Sequence, residues 1–293
     1  MIELVRKPGL FSLEFPLGIP SLLLLLGYLA LFGTIVYRHR SDFAGLGRRG
    51  WVAFLLLVAL IPLAHRFIAV TWTQQVAIPP GPMRVLPFSS AISLPGLVLI
   101  AVVAYVLGPG PGLLAGLVGG LTWARYTPLI LTDLLALSMW GYMVGAFLHQ
   151  HYRGDIFTFL RQPLVAIVLS SFVTVLLLSL SRLASSRLVD GPRIIDFVVI
   201  LWRNELPLWL FCGAGLGAMF QAVTLNPRWR LLQRGDVPSF YSRSLSAQFM
   251  VFSVPLVILS MLFSVLAVTN RSVSLAREQS LQEMRRSAVT AGK

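Results

Sequence analysis

What most constrains this chain is a series of apolar stretches, each close to the length a helix needs to cross a bilayer. Such a helix requires about 20 consecutive, mostly apolar residues. Stretches of this kind run over 17–37, 50–71, 89–107, 110–126, 129–149, 163–183, 194–223 and 247–269. Composition agrees: 56% of the 293 residues are hydrophobic and only 12% are charged, against about a quarter charged in a soluble domain. An ordinary cytosolic enzyme and a disordered chain are both excluded. The expected fold class is all-α, a polytopic helical membrane protein with about eight transmembrane helices. The expected organisation is a multi-span bundle over 1–269, followed by a polar exit helix over 270–293. Within the bundle, a six-helix core covers about 50–223, and 17–37 and 247–269 are extra spans.

Two of these stretches are interrupted. Gly108-Pro109-Gly110-Pro111-Gly112 separates the third from the fourth, so 89–126 forms either a tight helical hairpin or one broken, re-entrant unit. Pro207 lies inside the seventh, which is too long for one straight span and is expected to kink or tilt there. Segment 72–88, rich in proline, reads as a loop.

The net charge of +13 comes from 22 Arg and 2 Lys against 11 acids. In a soluble protein such a balance would raise nucleic acid as a partner. Here the arginines sit mainly in short segments between apolar runs, where they set topology and meet anionic headgroups, so no nucleic acid is expected. Segment 38–49 carries Arg38, Arg40, Arg48 and Arg49, segment 150–162 carries Arg153 and Arg161, and segment 224–246 carries Arg228, Arg230, Arg234 and Arg243. The alternate loops are poorer in cations. The positive-inside rule puts these three segments in the cytoplasm and both termini outside, with eight spans. The tail from Asn270, with Arg271, Arg277, Arg285, Arg286 and Lys293, pulls the other way. The first span does not read as a cleaved signal, because Glu3 and Glu14 dilute the basic start and no small-residue cleavage site follows. The expected location is the cell (plasma or inner) membrane.

Ionisable residues inside apolar runs are the first candidates for function, because burying one in lipid costs about 2.5–3.5 kcal/mol on insertion scales unless it finds a partner or water. Asp133 lies a few residues into the fifth stretch, with Arg125 eight residues earlier as a candidate ion-pair partner. Trp202-Arg203-Asn204-Glu205-Leu206-Pro207 places three strongly polar residues beside a proline, and Asp196 falls on nearly the same helix face as Arg203. This run reads either as a binding cavity or hinge, or as an interfacial break between a short helix 194–203 and a span 206–223. His65 and Arg66 are expected to snorkel towards headgroups. Glycines spaced by four recur at Gly112, Gly116 and Gly120, at Gly141 and Gly145, and at Gly213 and Gly217. With no side chain in the way, such rows let helices approach to backbone contact.

The catalytic motifs are missing: no Gly-x-Ser-x-Gly, no His-Glu-x-x-His, no nucleotide-binding loop. Cys212 is the single cysteine, and His149 and His151 have no acid or thiol nearby to complete a metal site. No catalytic residue, cofactor or metal is expected.

Spans two to seven, with Ser93-Leu94-Pro95-Gly96 opening one helix and Gly108-Pro-Gly-Pro-Gly-Leu-Leu-Ala-Gly116-Leu-Val-Gly-Gly120 opening the next, resemble the membrane-embedded sensor modules of bacterial signalling proteins, the MASE and LytS-like kinds. They are also similar to the six-helix substrate-binding subunits (S-components) of energy-coupling-factor (ECF) vitamin transporters. The last span and 270–293 resemble a helix leading from membrane into a Cache-type sensory domain or a cytoplasmic signalling helix. The first resemblance implies an integral membrane input module for a histidine kinase or diguanylate cyclase, as in a two-component system. It further implies a downstream domain or partner protein and a homodimer formed through the exit helix. The alternatives are a substrate-capture subunit of a small-molecule transporter and a structural or assembly membrane protein.

Overall fold

The computed structural model describes residues 2–3, 13–15, 18–67, 70–77, 85–124, 129–150, 155–185 and 193–225. The chain divides into Met1–Arg243 and Ser244–Lys293. The expected span 247–269 and the exit helix 270–293 lie outside the described residues.

In chain order the elements are β1 (Ile2–Glu3), β2 (Leu13–Glu14), α1 (Ile19–Arg38), α2 (Arg40–Ala44), α3 (Arg48–Phe67), β3 (Val70–Ala77), β4 (Val85–Ile92), α4 (Leu94–Leu107), α5 (Pro109–Trp123), β5 (Leu129–Ile130), α6 (Leu131–Leu148), α7 (Asp155–Leu160), α8 (Pro163–Ser185) and α9 (Arg193–Leu225). The architecture is a helical bundle. Among the described residues, five helices are long and apolar enough to cross a membrane: α1, α3, α6, α8 and the part of α9 from Glu205 to Thr224. They fall in the expected stretches 17–37, 50–71, 129–149, 163–183 and 194–223. The other two described stretches give shorter helices, α4 with 14 residues and α5 with 15.

Short strands join the helices where loops were expected. β3 and β4 pair antiparallel from Val70↔Ile92 to Ala77↔Val85, and β1 adds to the outer edge of β3. Segment 70–76, Val-Thr-Trp-Thr-Gln-Gln-Val, is made of β-branched, aromatic and polar residues that favour extended backbone. The second apolar stretch therefore ends as helix at Phe67, short of residue 71. The third begins as strand and turns helical only at Leu94, where Ser93 caps the helix by accepting the Gly96 N–H at 3.4 Å and Pro95 occupies the first turn. β2 pairs in parallel with β5, which ties the chain just before α1 to the chain just before α6.

The Gly-Pro run forms two helices joined at a single residue. Gly108 ends α4 and opens α5 at φ +102°, a backbone conformation that costs a residue with a Cβ. α9 is one continuous helix of 33 residues with Pro207 inside it.

The core is centred on α6. Buried residues take up 72% of its apolar length, against 22% for α1 and 17% for α3. A helix apolar all round belongs in the interior of an assembly or of a membrane. Glycines decide how closely its neighbours approach. A Cβ on Gly112 would stand 2.6 Å from the Gly141 carbonyl oxygen, one on Gly145 2.6 Å from Pro109 Cα, and one on Gly116 2.9 Å from Ser138 Cα. Gly120 faces Leu134. α5 and α6 thus touch along their backbones. α9 meets α8 in the same way, with Gly217 on Leu164 and Gly213 on Ser171. The outward faces are apolar as well: Leu22, Leu23, Leu26 and Leu29 on α1 and Leu55, Leu56, Leu60 and Leu63 on α3 are exposed. Apolar residues on both faces of these helices are compatible with a membrane location.

The backbone contact gives a contrast between glycines. Gly141→Ala should destabilise the chain by about 1–3 kcal/mol, because the new methyl group meets the Gly112 carbonyl. Gly215→Ala, where a Cβ meets nothing within 4 Å, should be neutral or stabilising by up to about 1 kcal/mol. Reversible unfolding of the purified protein in mild detergent measures both.

Candidate functional site

The residues carrying most of the chemistry meet at one end of the bundle, the end bearing β5. Asp133 stands in the first turn of α6, three residues after β5, and is 2% exposed. Glu205 stands in α9, two residues before Pro207, and is 1% exposed. Between them Arg182, in the last turn of α8, donates from Nη1 to Glu205 Oε1 and brings Nε to 3.9 Å from Asp133 Oδ2. The three helices bring their charges together because the α8–α9 pair packs tightly through Gly213 and Gly217, while α8 also packs on α6.

Hydroxyls extend the set. Ser181 donates to Asp133 Oδ1, so the Thr132 hydroxyl, in contact with Ser181, is the donor in that pair. A directed chain results: Thr132 to Ser181 to Asp133, with Arg182 bridging to Glu205. Each oxygen of Asp133 is engaged and Glu205 Oε1 is engaged. Glu205 Oε2 is buried with no hydrogen-bond partner among the described residues. Two carboxylates therefore share one guanidinium in a place nearly closed to water. Burial of charge is tolerated only when it is paired and hydrogen-bonded.

The sequence reading selected Asp133 and Glu205, and the structure brings them onto the same cation. That cation is Arg182, which the reading missed. It closes the apolar stretch of α8 and reads from sequence as a boundary residue. Arg125, the expected partner of Asp133, lies outside the described residues. Asp196, Arg203 and Asn204 lie on the backbone of α9, with their side chains outside the described ones. The reading of 194–223 as two helices broken at 203–206 is overturned, because α9 runs unbroken. The hinge candidate Pro207 is part-buried within it.

A second polar place lies at the opposite end. A cavity of about 400 Å³ is lined by His39, Asp42, Gly108 and His149, among others. His39 Nδ1 is 2.9 Å from Asp42 Oδ2, and His149 Nε2 lies 2.8 Å from the Tyr105 carbonyl and 3.1 Å from that of Ala104, to which it donates at the end of α4. None of these residues was a binding candidate from sequence. His65 is also corrected. It does not snorkel: it is 1% exposed, its ring lies over Gly96 where a Cβ would collide, and Trp123 meets it edge-on at 5.7 Å. Among the described residues no group of three His, Cys, Asp or Glu side chains could hold a metal ion.

Comparison of the chain with protein-family models, with curated proteins and with solved structures finds no match. The geometry of the charged set is therefore what any functional reading rests on.

That geometry sets an order of stabilities. Arg182→Met leaves two buried carboxylates with no counter-charge among the described residues and should cost about 3–5 kcal/mol. Glu205→Gln leaves Arg182 beside Asp133 and should cost less than half as much. Denaturant unfolding in detergent, read by tryptophan fluorescence, tests the order; equal losses would count against a shared cation.

Proposed function

We propose that the chain is an integral membrane input module of a signal-transduction protein. In this reading the Asp133–Arg182–Glu205 set is the point at which the stimulus acts. The observation that carries it is the charged set, two acids on one arginine, buried between three apolar helices. Ionisable groups inside a membrane are expensive and are kept where a ligand, an ion or a switch needs them. Placed next to Pro207, the set also stands where α9 is easiest to deform, since proline leaves the carbonyl one turn earlier without its helical partner. The stimulus shifts the population between two packings of α9 on α8 and α6, and the shift leaves through the chain after α9.

The topology follows the charge rule. Arg38, Arg40, Arg48 and Arg49 are exposed at the end of the bundle that carries Gly108 and His149. That end faces the cytoplasm. The Asp133–Arg182–Glu205 end and β2 then face outward, with the N-terminus outside. A bacterial inner membrane, a kinase or cyclase downstream and a homodimer formed through 270–293 complete the proposal.

The second reading, a substrate-capture subunit of a small-molecule transporter, draws on the spare acceptor at Glu205 Oε2. A captured solute carrying a donor or a positive charge would use it. A purified chain that retains a small molecule, lost on Glu205→Gln, would favour this reading.

The signalling reading is tested by fusing a reporter cyclase or kinase domain after Lys293 and expressing it in bacteria. Glu205→Gln and Pro207→Ala should each change reporter output at least about threefold, roughly 0.7 kcal/mol of population shift, at unchanged abundance in the membrane fraction. Output that stays at the wild-type level in both variants would sink it.

A further inference from the structure

We infer that the cavity at the Gly108–His149 end is a binding site for a primary ammonium group joined to a phosphate, and that its occupant is the phosphoethanolamine headgroup of a membrane phospholipid. The inference uses none of the charged set at the other end and stands apart from the signalling proposal.

Three corners of the bundle build the wall. The α1–α2 corner brings His39, Ser41 and Asp42, the α4–α5 corner brings Leu107, Gly108 and Pro109, and the end of α6 brings His149. A volume of about 400 Å³ falls within the range of small-molecule sites.

The interior is rich in acceptors and poor in donors. His39 Nδ1 donates to Asp42 Oδ2 at 2.9 Å, which leaves Asp42 Oδ1 for a second donor. His149 Nε2 donates to the carbonyls of Tyr105 and Ala104. The start of a helix ordinarily offers N–H groups to an anion. In α5, Pro109 and Pro111 have none, and the Gly112 N–H donates to the Gly108 carbonyl at 3.1 Å. Asp42 Oδ2 lies 3.8 Å from where a Cβ on Gly108 would stand, so the carboxylate is set against the α4–α5 corner. α4 ends there at Leu107, and the last carbonyls of a helix lack helical partners. A positive group with several N–H donors fits such a place, and an anion alone does not.

The rim carries the opposite charge. Arg38 and Arg40 flank His39, Arg48 and Arg49 open α3, and all four are exposed. Arg38 is within electrostatic reach of Tyr142, whose ring meets His39 edge-on at 5.5 Å. Arg40 lies over the ring of Tyr37, 4.7 Å from its centre. Four arginines repel a bare cation and attract a phosphate. The ligand therefore carries both signs, a few bonds apart.

This chemistry comes either on a lipid or on a free small molecule, and the surroundings favour the lipid. Tyr37 and Trp51 are exposed at this end, and such rings mark the headgroup level of a bilayer. Leu31 on α1 and Leu55 and Leu56 on α3 are exposed next along the bundle, an apolar surface for acyl chains. The cavity wall holds no Trp, Tyr or Phe among the described residues. A quaternary ammonium, which binds aromatic faces, is thus less well served than a primary one.

Native mass spectrometry of the full chain in mild detergent tests the inference. The probes are equimolar phosphatidylethanolamine, phosphatidylcholine and phosphatidylglycerol with matched acyl chains. The wild type should hold one phosphatidylethanolamine per chain, favoured at least about tenfold over either competitor, the scale of one charge-assisted hydrogen bond. Asp42→Asn should bring the ratio to phosphatidylcholine close to one. The double variant Arg38→Gln, Arg40→Gln should weaken all three lipids and leave that ratio in place. Where Asp42→Asn fails to fold, the wild type decides with mono-, di- and trimethylated headgroups: each methyl removes an N–H donor, and binding should fall at each step. Equal binding of phosphatidylethanolamine and phosphatidylcholine, indifference to methylation, a preference for phosphatidylglycerol, or an unchanged ratio in well-folded Asp42→Asn would each overturn the ammonium site. Soluble O-phosphoethanolamine at equal concentration should leave the lipid bound; displacement would overturn the lipid as occupant.

Discussion

Arg182 holds two carboxylates from two other helices, and that one guanidinium fixes the relation of α6, α8 and α9 at their shared end. Its pull matters because of where it acts. At a surface such a pair contributes little. In a site nearly closed to water, removing one partner strands the others, so the three helices separate only at high cost. At the other end of α8 and α9, Gln221 Oε1 accepts the Leu164 N–H at 3.3 Å. α9 is thus fastened to α8 at both ends, by a neutral bond at one and by charge at the other. A change in ionisation can loosen only the charged end.

The charged set depends in turn on residues with no charge at all. Arg182 reaches Glu205 because Gly213 and Gly217 bring α9 onto Ser171 and Leu164 of α8. α6 is held by α5 through Gly112, Gly116, Gly141 and Gly145, and by Trp140, whose indole donates to Ser171 Oγ at 3.1 Å. Packing at backbone distance is poorly deformable. A bundle built this way yields by changing between discrete arrangements more readily than by stretching, which suits a switch.

Much of this was legible in the sequence, but only what is local in it. The apolar stretches and the four-residue glycine spacing are periodic signals, and they led to the long helices and to the residues along which the helices touch. Asp133 and Glu205 stood out because each is an acid inside an apolar run. Arg182 did not, because it ends its run and its partners lie 49 residues before it and 23 after it. Helical periodicity cannot reach that far. The hairpin β3–β4 was hidden for a different reason: the prolines between its strands read as a loop, while the β-branched residues at its start extended the apolar stretch before it. His65 was misread because its burial depends on Gly96, in another helix, leaving room for the ring.

The position of Pro207 gives the charged set its mechanical meaning. One residue, Leu206, separates it from Glu205, and the carbonyl it leaves unpaired in the helix belongs to the turn just before the acid. A helix is weakest in bending where its hydrogen-bond ladder is interrupted. While Glu205 is fastened to Arg182, the segment of α9 before the proline is held on α8. In the proposed switch, weakening of that contact lets the same segment turn about the interruption, while the half after it stays seated on Leu164 through Gly217. The fixed half and the releasable half meet at the residue where the backbone resists least. In the proposed switch, the Glu205–Arg182 contact is therefore what keeps the first part of α9 seated on α8.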